Sequence, residues 1–328
     1  MIINKRVINK ISAMKIAIIG TGGVGGYFGG KLAGAGYDVT FLARGEHLRA
    51  IQQYGLTVRS LQGDFRIDAV QATDRIDKIG LADLVILGVK AWQVKDISRE
   101  LSAVIKRETI VLPLQNGVLI MEELNEKIKQ RNIIGGLCRI ISKIEAPGVI
   151  NHYGLDPSIV FGEPNYTGTD RIDMMKAIFD KSGINSQVSD DITADLWRKF
   201  IGICVGGLLA VTGTTYGELR ELKETRQLMI ELINEIYLLS QALWIRIESD
   251  FVGRMISVID SYPYDSTSSL TRDIWAGNPS EIDYQNGTVV RLGLKFGVDT
   301  PVNRFVYNSI LPMELKARMK NGLPQLKA

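Results

Sequence analysis

Cysteine, long hydrophobic runs and an excess of one charge are all scarce in this 328-residue chain. The two cysteines, Cys138 and Cys204, lie far apart and have neither a CxxC spacing nor a histidine neighbour. That excludes a disulfide framework and a zinc site, and both read as core residues of a reduced, cytosolic protein with no metal. The longest apolar run, residues 200–213, is too short to span a bilayer and reads as a buried helix, so no membrane partner is expected. The formal net charge is only +3, and the 39 Lys and Arg residues are spread along the chain rather than gathered into a stripe. A nucleic-acid backbone needs such a stripe, so no nucleic-acid partner is expected either. Repeats, low-complexity tracts and long linkers are missing too. Residues 1–13, "MIINKRVINKISA", are basic but lack the apolar core and small-residue cleavage site of a secretory signal. They are read as an extension without assigned function.

What is present begins with 45% hydrophobic residues, enough for a sizeable core, and a length that suggests two domains. From Met14 onward short β-branched runs alternate with helical patterns. "KIAIIG" (15–20) reads as a strand buried on both faces, "GGYFGGKLAGAG" (25–36) as a small-residue helix, "DVTFLAR" (38–44) as a second strand and "EHLRAIQQYG" (46–55) as a second helix. "LADLVILGVK" (81–90) and "TIVLPLQNG" (109–117) follow as further strands. Strand and helix in turn give βαβ units and a parallel sheet covered on both faces. Between about 133 and 162 the segments "VINHYG" and "SIVFG" suggest antiparallel strands that extend this sheet.

From Asp190 the pattern changes to helical spacing, in "DDITADLWRKFIGICVGGLLAVTG", "LKETRQLMIELINEIYLLSQAL" and "TPVNRFVYNSILPMELKARMK". The expected fold is α/β: an N-terminal Rossmann-type doubly wound sheet over 14–188, then a C-terminal all-α domain over 189–328.

The run "GTGGVGG" (20–26) satisfies G-x-G-x-x-G through Gly20, Gly22 and Gly25, directly after a strand and at the mouth of a helix. The first glycine suits a tight turn, the second a close approach of backbone to pyrophosphate, and the third helix-on-strand packing. Two other templates fail. A P-loop would need a hydroxyl where Leu32 stands, and the Tyr27/Lys31 pair sits too near the first strand to reach a nicotinamide. The phosphate-facing turn is therefore Gly20, Gly22, Gly23, Val24 and Gly25.

At the end of the second strand, where NAD-binding sites carry an acid for the ribose 2′-hydroxyl, the chain has Ala43 and Arg44. A guanidinium suits a 2′-phosphate, so NADP(H) is the expected cofactor. The alternative is that Arg44 is a solvated charge and Glu46 serves NAD.

Ligands in open α/β sheets lie beyond the carboxyl ends of the strands. Lys90 and Gln115-Asn116-Gly117 stand there, although a strand-end charge and a turn explain them equally well. In the helical half, Lys199 follows Trp197 and leads into an apolar helix. Desolvation there would lower a lysine pKa from about 10.4 toward the range of a general acid. The competing reading is a lysine that snorkels at a helix start. Ser280 and Asp283 resemble a capping box, Glu281 is explained by a helix dipole, and Ser269 could be any loop serine.

With these residues in view, the chain resembles the ketopantoate reductase family from about Lys15 to near Lys320. "GTGGVGG", "AR", "VKAWQV", "LQNGV", "WRKF", "SSLTRD", "EIDYQNG" and "TPVNR" occur in the family's order and spacing. The resemblance implies NADPH-dependent reduction of 2-dehydropantoate to pantoate, on the route to pantothenate and coenzyme A, in the cytoplasm. It also implies a site between a dinucleotide-binding domain and a helical domain. By position, it makes Lys199 the proton donor, Glu281 the acidic residue facing the nicotinamide and substrate, and Ser269 the serine that binds the substrate carboxylate. Lys90 and Asn116 fall at the cofactor and substrate edge.

Two asparagines that the family often places four and eight residues after the lysine are replaced by Ile203 and Gly207. Arg272 is a further departure. A paralogue acting on another branched 2-oxo acid, or a dinucleotide-binding regulatory protein without turnover, therefore stand as alternatives. The expected partner is a small-molecule 2-oxo acid, with a homodimer left open.

Overall fold

The computed structural model describes residues 14–164 and 168–326, and the 1–13 extension lies outside the described residues. In chain order the strands are β1 (Lys15–Ile19), β2 (Asp38–Leu42), β3 (Leu56–Ser60), β4 (Phe65–Ile67), β5 (Gln71–Thr73) and β6 (Ala82–Leu87). They continue as β7 (Ile105–Pro113), β8 (Gly135–Arg139), β9 (Ser142–Ala146), β10 (Val149–His152), β11 (Ser158–Gly162) and β12 (Asn185–Val188).

The run that reads as doubly buried in sequence becomes the centre of a five-stranded, all-parallel sheet of order β5-β2-β1-β6-β7. Ile16, Ala17, Ile18 and Ile19 are at most 1% exposed, as a parallel strand covered on both faces requires. The N-terminal parallel sheet with its helices, followed by a helical C-terminal region, is the fold class expected from the sequence.

The later strands do not extend this sheet. β10 pairs antiparallel with β9 but parallel with β3, closing a four-stranded sheet of order β4-β3-β10-β9. β11 pairs antiparallel with β8 and parallel with β12 in a three-stranded sheet, which touches β7 through an isolated bridge between Val111 and Ile133. Short strands with one apolar face can pair with whichever edge buries that face, and local sequence does not say which.

Helix α1 (Gly23–Gly34) lies between the first two sheets. A Cβ at Gly29 would stand 2.6 Å from Phe41 and 2.7 Å from Ile18 on the parallel sheet. On its other side, a Cβ at Gly26 would stand 2.6 Å from Ile150 and one at Gly23 would stand 2.4 Å from the Ser142 carbonyl oxygen. Glycines four apart on each face, Gly25 and Gly29 towards Ile18 and Gly26 and Gly30 towards Ile150 and Phe65, let this helix be packed from two sides at once. Tyr27 is buried with its hydroxyl on Gln62 Oε1 at 3.3 Å, so it serves this packing.

By compactness the chain forms two units. Among the described residues, one comprises those up to Gln115 together with those between Leu119 and Ile192, and the other takes Asn116–Val118 and those from Thr193. The second unit is built from α2 (Ile192–Ile203, counted here from its second residue), α3 (Val205–Thr212), α4 (Tyr216–Glu221), α5 (Lys223–Ala242), α6 (Phe251–Asp260), α7 (Ser269–Trp275), α8 (Asn286–Phe296) and α9 (Pro301–Lys320). Its core contains Trp197, Phe200, Leu208, Ile233, Ile236, Ile282, Val306 and Ile310.

The apolar run 200–213 is largely buried, but it is two helices, with Cys204 at the break. Among the described residues no helix is long and apolar enough to cross a membrane. No group of three or more His, Cys, Asp or Glu among them could hold a metal ion.

Candidate active site

In the first unit, the turn from β1 into α1 is shaped by backbone that leaves no room for side chains. Gly20 has φ +97°, in the left-handed region, and a Cβ there would stand 2.8 Å from Val89 N. A Cβ at Gly25 would stand 2.0 Å from the Gly20 carbonyl oxygen, and one at Gly88 would stand 2.9 Å from both Gly20 O and Gly25 Cα. The carboxyl ends of β1 and β6 and the start of α1 thus meet as bare backbone.

Gly22 behaves differently, because nothing lies within 4 Å of a Cβ built there. It is the N-cap of α1 and supplies no side-chain cap, so first-turn N–H groups have no partner within the helix. Open space beside the positive end of a 12-residue helix is a place for an anion, and these residues fit the pyrophosphate of a dinucleotide.

Thr21 ties the loop down. Its hydroxyl and its N–H both donate to the Leu42 carbonyl, at 2.9 and 3.1 Å, at the end of β2. Ala43 and Arg44 follow, and Arg44 is exposed at the start of the helix Gly45–Tyr54. Glu46, the alternative ribose ligand, is ion-paired with Arg49 on that helix. His47 accepts from the Gly148 N–H through Nδ1 at 3.0 Å, and burial lowers its pKa below the ordinary histidine value.

Lys90 is half-buried just beyond β6, at the start of the 3-10 turn Ala91–Gln93. The buried Gln115 donates to Val89 O at 3.1 Å and so holds the ends of β6 and β7 together. Sequence reading gave Gln115 no separate task. Its signal is a buried amide directly before the Asn-Gly turn.

In the second unit, Asn116 Nδ2 donates to Glu281 Oε2 at 3.1 Å. Glu281 is only 6% exposed, and Gly117 at φ +120° supplies the turn that follows Asn116. The structure thus brings together two predicted site residues that are 165 positions apart.

Lys199 is half-buried between the buried Trp197 and Phe200. It sits in the interior of α2, which begins at Ile192, so a lysine at a helix start is not what is found. Ile203 lies one turn further on and is half-buried. Gly207, in α3, has no room for a side chain. A Cβ there would stand 2.5 Å from Asn286 Oδ1 and 2.8 Å from Val306. Asn286 is fully buried and donates to Cys204 O at 3.2 Å and Asn303 Oδ1 at 3.0 Å. It therefore secures the helix break and occupies the space an amide at 207 would need.

Ser268 caps α7, accepting from Thr271 N at 3.0 Å, while Ser269 is exposed in the first turn. Arg272 is drawn back to the same helix start, donating to Thr267 O at 3.0 Å. Ser280 and Asp283 do not form a capping box. Ser280 bonds to Glu314, whereas Asp283 takes Arg291 at 2.6 Å and the Tyr307 hydroxyl at 2.8 Å. Burial and the Asp283 carboxylate push the Tyr307 pKa up to about 12.

The glycine turn on a parallel sheet, with a helical unit after it, defines a dinucleotide-binding type of oxidoreductase fold. Residues 16–166 match the model of the family "Ketopantoate reductase PanE/ApbA", and residues 191–314 match that of its C-terminal part. The chain belongs to the ketopantoate reductase family, as the resemblance implied. A 2-dehydropantoate 2-reductase of Nostoc is 31% identical over 305 residues, covering 90% of this chain and 94% of that one. A ketopantoate reductase of that family from Ralstonia eutropha superposes with a TM-score of 0.86 at 28% identity, covering 93% of this chain and 100% of that one. D-mandelate dehydrogenase, in a ternary structure with NADH and anilino(oxo)acetate, superposes with a TM-score of 0.82 at 25% identity, covering 95% and 100%.

Proposed function

We propose that this protein reduces 2-dehydropantoate to pantoate with NADPH, serving the cytoplasmic route to pantothenate and coenzyme A. The observation that carries this reading is the Asn116–Glu281 hydrogen bond of 3.1 Å. Within the second unit it joins the Asn116 amide to the buried Glu281 carboxylate, the two positions that the family resemblance assigns to the cofactor and substrate edge.

A dinucleotide-binding domain over residues 14–188 is assigned the dinucleotide, and a helical domain over residues 189–328 the keto acid. Gly20, Gly22, Gly23, Val24 and Gly25 receive the pyrophosphate, with Gly22 the open position. Arg44 receives the 2′-phosphate through charge-assisted hydrogen bonds, and the engagement of Glu46 with Arg49 supports NADPH over NADH. Lys90 contributes at the cofactor edge.

A nicotinamide held by these residues would supply the hydride that the carbonyl carbon takes up. Lys199 donates the proton to the carbonyl oxygen, and its ammonium stabilises the alkoxide as charge develops there. Glu281 holds the Asn116 amide, which orients the substrate, and Ser269 receives the substrate carboxylate. Lys199→Ala should cut turnover by roughly 10²- to 10⁴-fold, the range of general acid catalysis, with NADPH binding nearly intact. Normal turnover in that variant removes the lysine from the mechanism.

A second reading has its own support. Ile203 offers a hydroxylated substrate no hydrogen bond, and Gly207 cannot be replaced by an amide while Asn286 stands against it. A site without those polar groups discriminates less in favour of a hydroxyl. Reduction of another branched or aryl 2-oxo acid is then the function, and the likeness to a D-mandelate dehydrogenase points the same way. Purified protein with NADPH or NADH, offered 2-dehydropantoate and a panel of 2-oxo acids, separates the readings by loss of reduced-nicotinamide absorbance. A phenyl- or branched-chain acid preferred over 2-dehydropantoate selects the second. No turnover with any acid rejects both.

A further inference from the structure

Two charged side chains of the last helix, α9, are buried and have no part in the chemistry above. Glu314 is 2% exposed and Arg318 is 5% exposed. Glu314 Oε2 accepts from both the Ser280 N–H at 2.8 Å and the Ser280 hydroxyl at 2.6 Å, while Oε1 accepts from Arg318 Nε at 2.7 Å. Arg318 Nη1 donates in turn to Pro324 O at 3.1 Å. A buried carboxylate is tolerated when hydrogen bonds and an opposite charge satisfy its lone pairs, and here both oxygens are engaged.

The engaged partner is the residue directly before Glu281. The chain from Gly277 to Glu281 lies outside any helix, Gly277 has φ +66°, and the 3-10 turn that follows is only Ile282–Tyr284. Such a segment has little regular backbone bonding to hold it, and ordering it costs conformational entropy. Its anchor is Ser280, itself 1% exposed, whose hydroxyl also accepts from Ile282 N at 3.4 Å. A continuous set of hydrogen bonds therefore runs from Pro324 through Arg318, Glu314 and Ser280 to the turn that carries Glu281, and from Glu281 to Asn116.

We propose that Glu314, backed by Arg318, is a positioning residue: it fixes the Ser280–Glu281 turn so that the Glu281 carboxylate meets the Asn116 amide. This rests on the reading of Glu281 and Asn116 as site residues. Glu314 touches neither substrate nor cofactor and acts only through Glu281.

The test uses the full chain labelled with ¹⁵N at asparagine. The Asn116 side-chain amide resonance is identified by its absence in Asn116→Asp, and Glu281→Gln defines where it moves when the carboxylate is lost. Ser280→Ala removes the hydroxyl link but leaves the Glu314–Arg318 pair and the backbone hydrogen bond, so it keeps the fold. Glu314→Gln weakens both links. Both variants should move the Asn116 resonance in the direction set by Glu281→Gln, with Ser280→Ala melting close to the parent protein. An unmoved resonance in Ser280→Ala and in folded Glu314→Gln overturns the proposal.

With whichever 2-oxo acid is turned over, Ser280→Ala should lower kcat roughly three- to tenfold, a part of the worth of a hydroxyl–carboxylate hydrogen bond, since the Ser280 N–H still donates to Glu314. It should add nothing further in the Glu281→Gln background, whereas losses that multiply in the double variant also overturn the proposal. If the parent protein reduces no 2-oxo acid, the reading of function fails, and the amide resonance still decides whether Glu314 positions the turn.

Discussion

Around α1 the first unit is packed by leaving side chains out, with Gly23, Gly26 and Gly29 each meeting neighbouring sheets at 2.4–2.7 Å from where a Cβ would stand. The helices of the second unit are instead fastened by polar groups taken inside. Glu235 accepts from Val302 N at 2.8 Å, Asn303 N at 3.0 Å and Asn303 Nδ2 at 2.7 Å, and so caps the start of α9. Asn286 holds the helix break at Cys204, and Glu314 holds Ser280. The difference teaches how each unit presents its candidate site. Bare backbone suits an anionic ligand gripped by N–H groups, and buried side-chain hydrogen bonds suit catalytic groups that need a fixed direction.

The largest break in this comparison should come from the second unit. Glu314→Ala leaves the Arg318 guanidinium buried without its carboxylate, which costs about 3–5 kcal/mol and should show as a large drop in melting temperature. A variant that melts like the parent would mean the interior ion pair is dispensable. In the first unit the matched experiment is Gly25→Ala, which overpacks backbone and should cost about 1–3 kcal/mol together with dinucleotide binding. Gly22→Ala should keep the melting temperature while weakening NADPH, read by titration. Equal destabilisation at 22 and 25 would erase the distinction between the packed and the open glycine.

A smaller effect is expected at Arg44. Arg44→Ala should weaken NADPH roughly tenfold or more and leave NADH nearly unchanged, as loss of a charge-assisted hydrogen bond predicts. Loss of both dinucleotides alike would remove the argument for a 2′-phosphate.

The smallest effect concerns acid. Burial raises the Glu163 pKa, but the Arg171 guanidinium at 2.5 Å and the Thr169 hydroxyl outweigh it and hold the carboxyl below its ordinary value. A depressed folded pKa gives stability that is complete above the unfolded value, about 4.3, and is lost as pH falls through the folded one. Glu163→Gln should therefore flatten the dependence of unfolding free energy on pH below about 4.3, measured by denaturant titration. An unchanged slope would show that the pair adds no pH-dependent stability.

Much of the first unit was legible because its signals are local. Gly20, Gly22 and Gly25 follow a β-branched strand directly, and Arg44 stands at the end of the next. The three separate sheets were not legible, since the parallel pairing of Val149–His152 with Leu56–Ser60 depends on which edge is free after folding. In the second unit the apolar spacing gave the helices, yet the buried ends were hidden. Glu314 and Arg318, four apart, look like any solvated pair on a helix, and Ser280 looks like a cap. Thr300 looks like a cap as well, but the start of α9 is capped by Glu235, 67 and 68 positions away. Glu281 was legible only through the family resemblance, because its partner lies 165 positions off.

The crowding of Gly207 by Asn286 has a consequence for redesign. Installing an amide at 207 alone should cause a clash, and trimming Asn286 alone should take away the donor to the buried Asn303 Oδ1 and one of the two donors to the Cys204 carbonyl, leaving it only the Gly207 N–H. Any route, natural or engineered, toward a pocket that grips a hydroxyl must therefore cross a valley in which a first substitution harms folding before a second one repairs it. Paired libraries at 207 and 286 should succeed where single-site scans find nothing.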